Sequence, residues 1–224
     1  MKDKINIKMF KPFGSMISEQ QLPDDLVKDF LDDLKMIRNL PNEKRKDYLF
    51  GHKLAGSVES EYLITPEVLM KYKRNYFDVC ISEYCQSVYP DTKVDKVVIN
   101  SAWSVVQKPL QFNSLHEHNN HLQIEQPHPS ISCVGYLQVP KFEPLPFAKP
   151  HRDVSGCIEF HEGSPNFYSF SSWIKKPIKS TYMIFPSHLQ HMVYPFYSKD
   201  KEAERISFSF NAQVKFIKKD GKEN

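Results

Sequence analysis

Glycine is scarce in this chain, with seven residues among 224. That argues against a glycine-rich phosphate loop, which needs several such residues close together. The four cysteines, Cys80, Cys85, Cys133 and Cys157, form no C-x-x-C pair, and their spacings match no common zinc site. No stretch approaches the ~20 apolar residues of a membrane span. Met1 to Lys11 is charged and has no apolar core of the kind a signal peptide carries. The expectation is a soluble, cytoplasmic protein with free thiols and no membrane partner. An excess of one charge is missing too. Thirty basic against 27 acidic side chains leave +3, too little and too mixed to argue for nucleic acid. The Lys-rich end, Lys215 to Lys222, reads as a solvated terminus.

What the chain does contain is enough apolar material for a core, 40% hydrophobic and 13% aromatic residues. Its 16 prolines cluster after residue 100, which favours a loop-rich β region there. The texture changes along the chain. Residues 1–95 read mostly as a helical region packing on a β-fold. Leu22-Pro23-Asp24-Asp25 opens one helix, with acidic residues at the positive end of its dipole and Leu26, Phe30, Leu31 and Leu34 at helical spacing. Thr65-Pro66-Glu67 opens a second, with Thr65 as N-cap. Val68, Leu69, Tyr72, Tyr76, Val79, Cys80 and Tyr84 mark its apolar face, and Pro90 ends it. Asn39 to Glu61 reads as loop. Residues 96–216 turn to a period of two, with short Val-, Ile- and aromatic-rich runs between Pro-rich turns. That pattern predicts a sandwich, barrel or jelly roll. Residues 217–224 form a basic tail. The whole reads as one compact domain.

The last run, Arg205 to Phe216, alternates most cleanly. Arg205, Ser207, Ser209 and Asn211 point one way, and Ile206, Phe208 and Phe210 the other. An exposed Phe face is a liability, so it belongs under the N-terminal helices. Arg205 and Ser207 then face the inside of the β-fold. A buried guanidinium without a partner is costly, so it needs a protein carboxylate or an anionic ligand.

Nine histidines are present, and the dense group is His116-Glu117-His118-Asn119-Asn120-His121. On an extended chain His116 and His118 share a face and can converge on one metal ion. A facial site needs a third ligand and leaves positions open. His191 in a later run can supply it. A His-x-His pair taken alone is more often a solvated loop than a site. A rival pair, His151-Arg152-Asp153, has the His-x-Asp form common in iron oxygenases, but sits close to His191 behind Pro150. His52, His128 and His161 read as structural or exposed, and one of His188 and His191 as a surface residue.

Several segments carry a resemblance. Phe112-Asn113-Ser114-Leu115-His116-Glu117-His118, Ser132 to Pro140 and Gly156-Cys157-Ile158-Glu159-Phe160 are three. Ile184-Phe185-Pro186-Ser187-His188-Leu189-Gln190-His191-Met192-Val193-Tyr194-Pro195-Phe196, followed by Glu204 to Asn211, is the most specific, and Leu54 to Tyr62 adds a fifth. In order and spacing the chain resembles the 2-oxoglutarate and iron(II)-dependent oxygenase superfamily. Within it, it resembles a branch frequent in marine bacteria and T4-like cyanophages. The resemblance implies a double-stranded β-helix, a jelly roll of the cupin kind. It gives His116, His118 and His191 as metal ligands and Arg205 with Ser207 as the grip on the far carboxylate of 2-oxoglutarate. Tyr136 and Trp103 are candidates to line the pocket, or plain core aromatics. Two departures stand out. The second ligand is usually a carboxylate, here His118, with His121 as an alternative. The stretch Asn119 to Pro129 also separates the pair from the next strand.

The implied chemistry is oxidative decarboxylation of 2-oxoglutarate to succinate by iron(II) and O2, coupled to hydroxylation of an unidentified substrate. That substrate is a small molecule or a protein side chain, and the protein a monomer or homodimer. Two other readings stay open. One is a three-His, cupin-type metal dioxygenase without 2-oxoglutarate. The other is a non-catalytic jelly-roll binding or structural protein.

Overall fold

The computed structural model describes residues 7–10, 14–51, 56–118, 130–146, 149, 153–163 and 170–218. Helix α1, Asp24–Arg38, carries two acidic residues in its first turn and two basic ones in its last, each placed favourably on the dipole. Leu26, Val27, Phe30, Leu34 and Ile37 form its buried stripe. A short helix α2, Asn42–Arg45, and a 3₁₀ turn over 46–48 follow.

Helix α3, Pro66–Tyr72, and helix α4, Asp78–Val88, are joined through a π-helical turn, Lys73–Phe77. The wide turn shifts the apolar register. Tyr76 and Phe77, Cys80 and Ile81, and Tyr84 and Cys85 are buried as adjacent pairs, while Val79, expected on the apolar face, is exposed. Thr65 does precede α3, but its hydroxyl makes no cap. It donates to Asp33 Oδ1 of α1 at 2.7 Å, and its N–H donates to Asp33 Oδ2 at 3.1 Å, tying the two helices together.

Eleven strands form two antiparallel sheets among the described residues. In chain order they are β1 Ile7–Phe10, β2 Ile17–Gln21, β3 Ser60–Leu63, β4 Thr92–Gln107, β5 Asn113–His116 and β6 Ser130–Gln138. Then come β7 Ile158–His161, β8 Ser172–Lys175, β9 Thr181–Pro186, β10 Gln190–Val193 and β11 Arg205–Lys218. The major sheet runs β1-β2-β9-β6-β11-β4-β3 and the minor sheet β5-β10-β7-β8. The N-terminal third is therefore not helical throughout. It contributes three strands to the major sheet, two of them on its β1 edge and one on the other. Four-residue strands such as β3, β5 and β8 are too short for a period of two to show in sequence.

The outer face of the major sheet packs on the helices. Phe208 of β11 lies 5.0 Å from Phe30 and 6.0 Å from Phe77, and Phe210 lies 5.1 Å from Phe77, ring centroid to centroid. Gly135 of β6 sits beneath this cluster. A Cβ there would fall 2.2 Å from Phe208 Cε1, so the missing side chain is what lets the ring lie on the sheet. The inner face meets the minor sheet through Ile17, Tyr136, Ile158, Phe160, Met183 and Phe185. The four cysteines are buried and free, and among the described residues no helix is long and apolar enough to cross a membrane.

Candidate metal centre

The site lies between the sheets. β10 pairs with β5 so that His191 stands directly opposite His116, which brings their rings to 4.4 Å. His118 follows β5. Its backbone N–H donates to Ser187 O at 2.9 Å, which returns its ring to the same point, 5.1 Å from His191 and 5.3 Å from His116. One ring nitrogen from each of the three histidines lies within 4.8 Å of the others. The start of β5 is clamped from outside. Ser57 N–H donates to Phe112 O and Phe112 N–H to Ser57 Oγ, both at 2.9 Å. Gly56, at φ 120°, approaches so closely that a Cβ would lie 2.4 Å from Phe112 O.

Each Nδ1 already faces an acceptor. His116 Nδ1 is 2.7 Å from Ser114 O, His191 Nδ1 is 2.9 Å from Leu189 O, and His118 Nδ1 is 2.6 Å from Asn211 Oδ1. With Nδ1–H donating, the lone pair sits on Nε2 in all three, as a ligand requires. Burial then keeps the rings uncharged. It lowers His118 to about 4 and His191 well below its usual value, with the neighbouring imidazoles adding to the effect, and lowers His116 as well. Three neutral nitrogen donors at the mouth of a cavity suit a divalent first-row metal, with coordination positions left for other ligands. The Asn211 contact is itself supported, because Ser132 Oγ donates to the same Oδ1 at 2.8 Å.

Arg205 lies in the same cavity, fully interior, with 2% of its surface exposed. Its Nη1 donates to Gly156 O at 2.8 Å, and the guanidinium stands 5.9 Å over the Tyr136 ring. Nε has no partner, and no carboxylate pairs with the side chain among the described residues. Burial disfavours its cation, lowering its pKa from the usual value. Of the two partners the strand pattern required, a protein carboxylate or an anionic ligand, the described residues supply no carboxylate and so favour the anionic ligand. Ser207, Tyr136 and Trp103 line the same cavity.

His188 is exposed while His191 is buried, which separates the two. His161 lies 3.7 Å from Glu159 on the minor sheet. Asp153 is exposed and its carboxylate accepts from Ser155 N–H at 3.0 Å. His52, His121, His128 and His151 lie outside the described residues. Two residues of the site escape a reading by sequence. Asn211 was legible as facing inward but not as the partner of His118, 93 positions away. Glu61, on the four-residue β3, carried no signal at all.

Residues 101–211, just under half the chain and the part that holds all three histidines and Arg205, match the model of the putative 2OG-Fe(II) oxygenase family. Solved structures agree in fold. A Pseudomonas putida prolyl-4-hydroxylase is 17% identical with a TM-score of 0.56, over 88% of this chain and 91% of that one. The viral collagen prolyl hydroxylase of Paramecium bursaria Chlorella virus-1, solved with 2-oxoglutarate, is 16% identical at 0.52, over 95% and 98%. HygX of Streptomyces hygroscopicus, solved with nickel and 2-oxoglutarate, is 11% identical at 0.55, over 91% and 84%. At such identities the likeness establishes the double-stranded β-helix. No curated protein matches the chain. The segment that supplies the three histidines and Arg205 is thus similar to the 2OG-Fe(II) oxygenases, enzymes that use iron(II), 2-oxoglutarate and O2.

Proposed function

We propose that this protein is an iron(II)- and 2-oxoglutarate-dependent hydroxylase, with His116, His118 and His191 as the metal ligands. Arg205 and Ser207 take the distal carboxylate of 2-oxoglutarate, with Tyr136 beside it. The observation that carries the reading is Arg205, a fully buried guanidinium with an unfilled donor that shares one cavity with three unprotonated imidazole nitrogens. A guanidinium fork matches a carboxylate bidentately, and Ser207 is its same-face neighbour on β11. When bound, iron(II) with 2-oxoglutarate and O2 supplies the oxidation of an unactivated C–H bond, with succinate as co-product. The chain's own residues position and exclude. Backbone carbonyls and Asn211 hold the three rings, and Phe160, Phe185, Ile158 and Val193 keep the centre dry.

Within the superfamily, the Phe112-Asn113-x-x-His116-x-His118 motif supports the branch found in marine bacteria and cyanophages. Solved proteins of similar fold include a viral collagen prolyl hydroxylase and HygX with hygromycin B bound, so the fold does not choose between a protein side chain and a small molecule. We place the protein in the cytoplasm, as a monomer or homodimer. The three-His set also suits a dioxygenase that works without 2-oxoglutarate, a reading Arg205 argues against.

The test is anaerobic addition of iron(II) and then 2-oxoglutarate, looking for the visible metal-to-ligand charge-transfer band in wild type, His118→Ala and Arg205→Ala. A band in wild type that is lost or weakened in both variants supports the assignment. Folded, iron-binding protein without a band overturns the 2-oxoglutarate reading in favour of the three-His dioxygenase. Absence of iron binding points to a non-catalytic jelly roll.

A further inference from the structure

The cavity has a second charged wall. Glu61 of β3 stands opposite Val105 of β4, Val105 opposite Ser207 of β11, and Ser207 opposite Tyr136 of β6. Directly paired residues of an antiparallel sheet share a face. The carboxyl group therefore points into the cavity along the row that holds the Arg205 subsite, two strands away from it. Glu61 is 1% exposed, and its Oε1 has no hydrogen-bond partner. No ion pair joins it to Arg205, the other charged side chain that lines the cavity among the described residues. Its near neighbours on that wall are Trp103 and Val105, with the Phe50 ring tilted against Trp103 at 5.0 Å. Trp103 lies in turn 5.9 Å from the His118 ring, so this wall adjoins the metal.

A buried carboxyl group with an unfilled acceptor is costly, and burial alone raises its pKa to about 7. Among the described residues nothing uses it: it caps no helix, bridges no strands and meets no cation. A carboxylate beside the face of a Trp is complementary to a positive group on an apolar stem, through charge and through the ring quadrupole. A second anion, by contrast, is repelled there. The cavity is thus divided, with a cationic end at Arg205 for a dicarboxylate and an anionic, aromatic end at Glu61.

We propose that Glu61, with Trp103, binds an alkylammonium group of the substrate, and that the enzyme acts on an amine-bearing molecule or side chain held by that group next to the metal. This rests on reading the cavity as an oxygenase site. Glu61 sets which substrate is held and in which direction, and it has no part in holding the metal or 2-oxoglutarate.

Saturation-transfer NMR on the full chain, loaded with zinc(II) and 2-oxoglutarate, tests it without turnover. The probes are n-butylammonium, n-butanol, butyrate and the blocked pentapeptide Gly-Gly-Lys-Gly-Gly. Wild type is expected to bind a cationic probe at least tenfold more tightly than n-butanol and to reject butyrate. Glu61→Gln is nearly isosteric and is expected to lose that tenfold preference while keeping the weak binding of butanol. Glu61→Leu provides the same comparison in a second background. Binding of butylammonium alone indicates a free amine substrate, and binding of the pentapeptide indicates a lysine side chain. Equal affinity for ammonium and alcohol in wild type, or a preference that survives Glu61→Gln, overturns the proposal. Preference for ammonium in a protein that gives no charge-transfer band with iron and 2-oxoglutarate would leave the cation site standing and remove the oxygenase reading.

Discussion

Replacing Arg205 by Met is expected to leave the ligand-free protein about as stable as wild type, and to abolish its stabilisation by 2-oxoglutarate. From the protein itself the guanidinium has one bond to Gly156 O, the Tyr136 face at 5.9 Å, and an Nε without a partner. A hydrogen bond to a charged group contributes ~1.5–3 kcal/mol net, and a desolvated cation–π contact ~2 kcal/mol. Against these stands a desolvation penalty of several kcal/mol for a buried ion without a counter-charge. Met keeps most of the apolar volume, leaves Gly156 O without its donor at a cost of ~1–3 kcal/mol, and removes the ion. The two sides are of similar size, so the balance is expected within ~1 kcal/mol of neutral. At ~2–4 °C per kcal/mol for a chain of this size, the melting temperature should stay within ~4 °C of wild type. Adding 2-oxoglutarate at a hundredfold its Kd should stabilise wild type by ~2.7 kcal/mol and leave Arg205→Met where it was. Differential scanning calorimetry of the zinc-loaded proteins, with and without 2-oxoglutarate, reads both quantities. A ligand-free variant melting more than ~5 °C below wild type would show that the arginine is a structural element adequately paired by its carbonyl. An equal rise with 2-oxoglutarate in both proteins would show that it is not the anchor.

Three further outcomes follow from the same geometry. Asn211→Ala, which removes the acceptor 2.6 Å from His118 Nδ1, should weaken zinc(II) or cobalt(II) binding ~10–100-fold in a chelator competition. Asn211→Asp should restore most of it, and unchanged affinity in the Ala variant would dismiss the contact as incidental. Gly135→Ala would put a methyl group 2.2 Å from Phe208 Cε1 and should cost ~1–3 kcal/mol in urea unfolding, while Phe208→Ala should cost ~3–5 kcal/mol. Glu61 adds a pH dependence whose sign is set by its raised pKa. The folded state holds this proton up to about pH 7 and the unfolded state only to about 4.5, so folding is disfavoured progressively as pH rises through that window. At ~1.4 kcal/mol per pKa unit, metal-free Glu61→Gln should gain up to ~3 kcal/mol on wild type between pH 4.5 and 7, and nothing more above it. A constant difference between the two across that range would contradict the buried, unpartnered state of the carboxyl.

Local patterns in the chain determined a good deal by themselves. The period of two over Arg205 to Phe216 places Phe208 and Phe210 on one face and Arg205, Ser207 and Asn211 on the other. The structure bears this out, with the Phe pair against Phe30 and Phe77 and the Arg face in the cavity. That inference works because alternation is a property of the extended backbone itself and needs no knowledge of what lies opposite. His116 and His118 were legible for the same reason. The register that brings His191 to His116 was not, because pairing across 75 positions depends on loops and bulges that leave no periodic trace. The wide turn over 73–77 likewise displaced Val79 to the surface, since the extra residue is chosen by packing on the sheet and not by spacing. The acceptors that fix each imidazole, and the facing of Glu61 into the cavity, belong wholly to tertiary structure. They arise where short strands from distant parts of the chain meet, and a four-residue strand carries too few residues to announce which side it buries.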